Sequence, residues 1–280
     1  MGRRVRLELM VERFRRREDV DGCACLECRA VTSGAIRRGV GDVLLWSVGF
    51  LRKRPSVPLV FLALGLVQVL GYVGPFGLEL AASGLVFFGA IFARGYAITI
   101  VSGELADRRY TPKTAAGHTL RRLPAVIATM IGTFVATMGV MFVGVFVGIG
   151  VLVSDNLVLS ALGTLGLLVL FVLFIVVVVK FVLAPEAVVA GGYGPIAALR
   201  VSWELVSFRR RTTIALIGLV IAVVTTFALG EIGAAAEPYP VVGSDTASAV
   251  VFGGSSVLTY LSSAVTSFVL CHVYVQGVLE

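Results

Sequence analysis

Long apolar runs alternate with two kinds of connection in this chain, and only one kind carries basic charge. Of 24 Lys and Arg residues, thirteen lie within residues 3–54, five within 108–122 and four within 200–211. Arg94 and Lys180 complete the set, both inside apolar runs. The other three connections hold Glu79, Asp155, Glu231, Glu237 and Asp245, with no Lys or Arg. About 20 apolar residues in a helix cross roughly 30 Å of hydrocarbon, and basic loops stay cytoplasmic. The pattern predicts an all-α polytopic transmembrane helical bundle in the cell membrane, with six spans and both termini in the cytoplasm.

The expected spans are residues 57–73, 80–102, 124–153, 157–183, 212–230 and 252–276. Residues 1–33 read as a flexible basic cytoplasmic leader, and 34–280 as the membrane domain. The third run has no formal charge from Pro124 to Ser154, which implies a long or tilted helix. Thr111-Pro112 has the chemistry of a helix start, with Thr as cap and Pro at the first helical position. The last run is too long for one crossing, so Gly253 to Ser256 is expected to be interfacial chain or a broken turn. No cleavable signal is expected, because no apolar stretch follows Arg3, Arg4 and Arg6 until Val57.

Charged residues make up 15% of the chain, against roughly 25% in soluble domains. The net charge of +7 is an orientation signal and an attraction to anionic headgroups, not a nucleic-acid footprint. The expected partners are the lipid bilayer and its anionic cytoplasmic headgroups, with a protein partner or a second copy as further candidates.

Two amphipathic stretches, 34–51 and 194–208, precede basic triplets. Trp46 is followed after five residues by Arg52-Lys53-Arg54, and Trp203 after five residues by Arg209-Arg210-Arg211. These are the chain's two tryptophans. Glu104, Tyr110 and Pro112 follow the second span as Glu186, Tyr193 and Pro195 follow the fourth, with the same Tyr-x-Pro spacing. Together they suggest a parallel internal repeat of an interfacial helix, a basic cluster and two spans.

Val182-Leu183-Ala184-Pro185-Glu186 leaves the fourth span, and Ala197-Ala198-Leu199-Arg200-Val201-Ser202-Trp203-Glu204-Leu205 precedes the fifth. This pair of segments resembles a set of six-span membrane proteins of haloarchaea and some bacteria. That set is similar to the membrane region fused to some glycerophosphodiester phosphodiesterases. The resemblance covers residues 34–279 and implies the same bundle. Phosphodiesterase chemistry belongs to a separate soluble domain of the fused proteins and does not carry over.

Arg94 and Lys180, as cations inside spans, are candidate lipid or anion contacts, and Arg200 is a third, on a polar stripe with Glu204 and Ser207. The bland account is snorkelling to the cytoplasmic headgroups. Glu104 and Glu186 are candidate partners for Arg94 and Lys180. Gln68 reads as glue between helices, and Gly144 with Gly148 as a packing face. Cys23, Cys25 and Cys28 form a weak zinc candidate that lacks a fourth ligand, for which His118, Cys271 or His272 are available. Reduced, unliganded thiols are the simpler expectation, and no cofactor is expected. With two histidines, no HExxH, no Walker loop and no GxSxG, no catalytic constellation is present. The expected role is non-enzymatic membrane organisation or interaction; the alternative is a transporter or permease subunit for a small or anionic solute.

Overall fold

This computed structural model describes residues 14–20, 39–73, 76–154, 156–206 and 245–279. The cysteine cluster, Arg209–Arg211 and the expected fifth span lie outside the described residues.

Helix α1 (Val40–Lys53) ends because Pro55 excludes the α conformation from the residue before it, and Arg54 turns to φ −129° and ψ 72°. Helix α2 (Ser56–Val73) leaves at 86° to α1. Both faces of α1 are apolar: Val43 and Phe50 are buried, while Leu44, Leu45 and Val48 are exposed. Such a helix suits the interface of a membrane, lying against the bundle with its outer face in lipid.

Helix α3 (Phe76–Leu105) ends in a turn where Asp107 takes a left-handed φ of 52°. The Arg108 N–H donates to Gly103 O at 2.8 Å across that turn. Helix α4 (Pro112–Val153) starts where the sequence expects it, with the Thr111 hydroxyl accepting from the Thr114 N–H. It then runs for 42 residues without a break. Helix α5 (Leu157–Phe181) is capped by Asn156, whose side chain accepts from the Val158 and Leu159 N–H groups. It stops before Pro185, which opens the short α6 (Ala184–Val189), and Pro195 opens α7 (Pro195–Leu205). Helix α8 (Asp245–Leu279) is continuous through Gly253 to Ser256, so that stretch is helical rather than broken. It packs on α2 where Gly65 leaves room for Val257 and Tyr260.

The bundle has a basic end, where α2 begins, α3, α5 and α8 finish and α6 and α7 sit. Exposure divides it into two levels. Large apolar side chains are exposed on α4 from Ile131 to Val153 and on α5 from Leu157 to Ile175. At 1.5 Å per residue these bands are about 34 and 28 Å tall, close to the roughly 30 Å of a bilayer's hydrocarbon. Toward the basic end the same helices turn inward: Val126 and Thr129 on α4, and Val177 and Val179 on α5, are buried. They join a core built from the second half of α3, the whole of α6 and the end of α8. Helix α4, about 63 Å long, therefore serves as a membrane helix and then as a core helix.

The α6–α7 connection lies at the heart of this core, with every residue from Leu183 to Tyr193 buried. Gly192 takes a left-handed φ of 69°. Beside it, a Cβ on Gly191 would lie 2.6 Å from Ala187 O and would also collide with the Tyr274 hydroxyl. The carbonyl belongs to the helix and has nowhere to go. Gly191→Ala should therefore lower stability by about 1–3 kcal/mol. Gly194→Ala, where a Cβ meets nothing within 4 Å, should leave the melting temperature in detergent nearly unchanged. Equal effects of the two substitutions would contradict this packing.

Among the described residues, four helices are long and apolar enough to cross a membrane, or five if the bent α1–α2 pair counts as one span. The chain is a multi-pass membrane protein in contact with the lipid bilayer.

Candidate functional site

Arg94 stands on α3 at the border between the exposed band and the buried core. Its Nη2 donates to Glu186 Oε1 at 2.7 Å and to Val182 O at 3.1 Å, and its Nε donates to Glu186 Oε1 at 3.2 Å. The Glu186 side chain is 0% exposed and that of Arg94 29%. Glu186 Oε2 is buried and makes no hydrogen bond among the described residues. The pair ties α3 to α6 across 92 positions of sequence. Taking two charges out of water costs several kcal/mol each, so the pair is weak evidence for net stability but strong evidence for register between the two helices.

A cavity of about 450 Å³ opens beside this pair. Phe61, Phe87, Met130, Val178 and Leu270 are among its apolar walls, drawn from α2, α3, α4, α5 and α8, and Arg94 lies at its rim. Helix α8 adds the hydroxyl-bearing Tyr260, Ser263, Thr266 and Ser267. Apolar walls with a few convergent polar groups are the ordinary make-up of a ligand site, and the volume falls within the usual 300–1,000 Å³.

Glu104 pairs with Arg54, Oε2 to Nη2 at 3.0 Å, rather than with Arg94. This contact joins the start of α2 to the end of α3. Lys180 is held at the end of α7. Its Nζ donates to Trp203 O at 2.9 Å and Val206 O at 2.6 Å, and lies 5.3 Å from the centre of the Trp203 ring. A cation on the last carbonyls of α7 satisfies groups that the helix itself leaves unbonded. Ser202 closes the arrangement by donating to Lys180 O at 2.7 Å.

The two tryptophans pack against different partners. Trp46 stacks on Phe50 at 5.2 Å and meets His272 edge-on at 5.8 Å, while Trp203 lies 5.4 Å from Phe181. Tyr110 and Tyr193 are both buried, each two residues ahead of a proline that opens a helix. Gln68 on α2 accepts from the Tyr260 hydroxyl at 3.5 Å. A Cβ on Gly144 would meet open space, and one on Gly148 only Leu167 of α5 at 3.8 Å. Among the described residues no three His, Cys, Asp or Glu gather as metal ligands. His118 Nε2 lies 3.1 Å from Val189 O, and Cys271 is buried with its thiol facing Ile98 O at 3.7 Å.

Sequence reasoning missed the strap formed by Phe14 to Val20, which packs on the α6–α7 elbow. Phe14 is fully buried; its N–H donates to Ala190 O at 2.9 Å, and its carbonyl accepts from the Tyr274 hydroxyl at 2.8 Å. Arg15 Nε donates to Gly191 O at 3.2 Å and its guanidinium lies over the Tyr193 ring. Arg16 binds Glu204, which also accepts from Arg200 Nε at 3.0 Å. The Arg200 hydrogen bond holds the Glu204 carboxyl below its ordinary range, and the same bond raises the Arg200 guanidinium. Arg200 is thus an exposed partner of Glu204, one turn away on α7. The only signal for the strap was the apolar Phe14 set among arginines.

The Tyr193 hydroxyl donates to Asp19 Oδ2 at 2.6 Å and accepts from the Arg16 N–H at 2.9 Å. Burial, then the hydrogen bond to Asp19, push this phenol from 10.0 up to about 12. A phenol whose pKa rises on folding stabilises the fold fully below its unfolded value near 10. That contribution is lost as the pH climbs through 12. Tyr193→Phe should therefore remove the part of the alkaline instability that falls between those values, seen in melting temperatures recorded from pH 8 to 12. An identical alkaline limb in both proteins would show that the phenol is not held this way.

No family model matches the chain, and neither a curated protein nor a solved structure matches it.

Proposed function

We propose that this chain is a non-enzymatic, six-span protein of the cell membrane, with both termini cytoplasmic, that organises or recruits through its basic end. One observation carries this: Arg52, Lys53, Arg109, Lys113, Arg121 and Arg200 are all exposed around that end. Juxtamembrane Lys and Arg contribute about 1 kcal/mol each to attraction for an anionic leaflet. Residues 212–230 supply the fifth of the six spans in this reading, and the alternation of basic and acidic connections sets the orientation. The repeated Tyr-x-Pro helix starts at Tyr110-Pro112 and Tyr193-Pro195 support descent from a duplicated unit. The Val182–Glu186 and Ala197–Leu205 segments support kinship with the six-span proteins they resemble.

Transport of a small or anionic solute is the second reading, favoured by the cavity that reaches Arg94. Its walls are mainly apolar, which suits a hydrocarbon chain better than a hydrated ion.

The test combines topology with lipid dependence. Single cysteines at positions 155 and 237, in a background without the four native cysteines, should label from outside intact cells. Reconstituted protein should be stabilised by adding phosphatidylglycerol to phosphatidylcholine, an effect that fades in high salt. Labelling only after permeabilisation overturns the orientation, and indifference to anionic lipid overturns the recruiting role.

A further inference from the structure

Arg94 has one edge of its guanidinium committed and one open. Nε and Nη2 serve Glu186 and Val182, while Nη1 makes no hydrogen bond among the described residues. Arg94 is part of the cavity's lining. Most other donors there are already spent. The Ser263 hydroxyl donates to Thr259 O at 2.9 Å and that of Ser267 to Ser263 O at 2.8 Å. Tyr260 turns to Gln68. Among the described residues, the donors left to a guest are the two N–H groups of Arg94 Nη1 and the Thr266 hydroxyl. A guest with acceptor oxygens fits these donors.

The cavity's height narrows the choice. Its walls include Phe87, 59% exposed in the apolar band, and Leu270, 2% exposed in the core. It thus reaches from the outward-facing apolar surface into the buried core, with Arg94 in its lining. Glu186 already balances the charge of Arg94 from behind, so the guest need not be a bare anion.

We propose that the cavity is a built site for one bilayer lipid. Its phosphate or linkage oxygen accepts from Arg94 Nη1, and one hydrocarbon chain lies between α2, α3, α4, α5 and α8. The site shares with the proposed function only its placement of the basic end at a headgroup layer. It is distinct from the surface attraction, because a cavity saturates with one molecule and resists salt.

The test is a thermal shift on the full chain in detergent at 1 M salt, where exposed charge attraction is largely screened. The probes are dihexanoyl phosphatidylglycerol, sn-glycerol 3-phosphate and octyl glucoside. The short-chain phospholipid should raise the melting temperature saturably, and the other two should not. Arg94→Lys keeps a charge for Glu186 but loses the second edge of the fork; it should raise the half-saturating concentration about tenfold or more. Ser263→Phe fills the cavity and leaves Arg94 in place; it should abolish the shift. An equal shift from glycerol phosphate would make this an ordinary phosphate site, and one from octyl glucoside a detergent pocket; either overturns the proposal. No saturable shift in the wild-type chain overturns it too. No stabilisation by phosphatidylglycerol bilayers at low salt would sink the surface-recruiting reading instead.

Discussion

Arg94→Ala should cost the bundle roughly 3–5 kcal/mol, since it leaves a buried carboxylate with no opposite charge. Glu186 has 0% exposure and no second cation bonded to it among the described residues. Val182 O would lose its side-chain donor in the same step. Glu186→Gln should cost less, about 1–2 kcal/mol, because Arg94 is partly exposed and keeps an acceptor in the amide oxygen. The Arg94→Met/Glu186→Leu double variant should recover most of the loss, as apolar replacements of buried ion pairs commonly do. The coupling is read from unfolding of all four proteins in one detergent. If the double variant is no more stable than Arg94→Ala, the two charges are not balancing each other.

Phe14→Ala is the second large effect, and it should appear as local release. A fully buried Phe typically contributes about 3–5 kcal/mol relative to Ala. The loss in global stability is capped at the free energy that docks the strap, because a released segment has nothing further to lose. The direct readout is therefore trypsin cleavage after Arg15 and Arg16. Both arginines are engaged with the elbow in the folded chain. Cleavage should accelerate tenfold for every roughly 1.4 kcal/mol by which docking weakens, while the bundle still melts cooperatively. Equal cleavage rates in the two proteins would place the strap off the elbow.

Much of the bundle was legible because a membrane helix announces itself by composition. The runs at 57–73, 80–102, 124–153 and 157–183 each fall on a helix, and Thr111-Pro112 opens α4 as its cap chemistry requires. The depth of those helices was not legible. A run of small and apolar residues in lipid and one in a protein core have the same composition, so the first part of α4 and the second half of α3 gave no sign that they pack inside the bundle. The pairing of Arg94 was open between two glutamates, and geometry chose Glu186 although Glu104 is only ten positions away. Ten residues on one helix are about 15 Å apart along its axis, beyond side-chain reach. The elbow carried a signal for that choice: Glu186 sits alone among Leu183, Ala184, Ala187 and Val188. A lone acid in such a run implies burial with a partner.

The unbroken course of α4 joins two environments that usually communicate through loops. Its upper part is matched to bilayer thickness, and its lower part is wedged among α3, α6 and α7. A thinner bilayer must tilt the α4–α5 hairpin, at a cost of fractions of a kcal/mol per Å of mismatch. Because a helix is stiff along its axis, the tilt arrives at the level of Arg94, above the proline at position 124 that offers the nearest place to bend. A change in the tilt of α4 therefore bears on the contacts it makes with α3 and α6 beside Arg94.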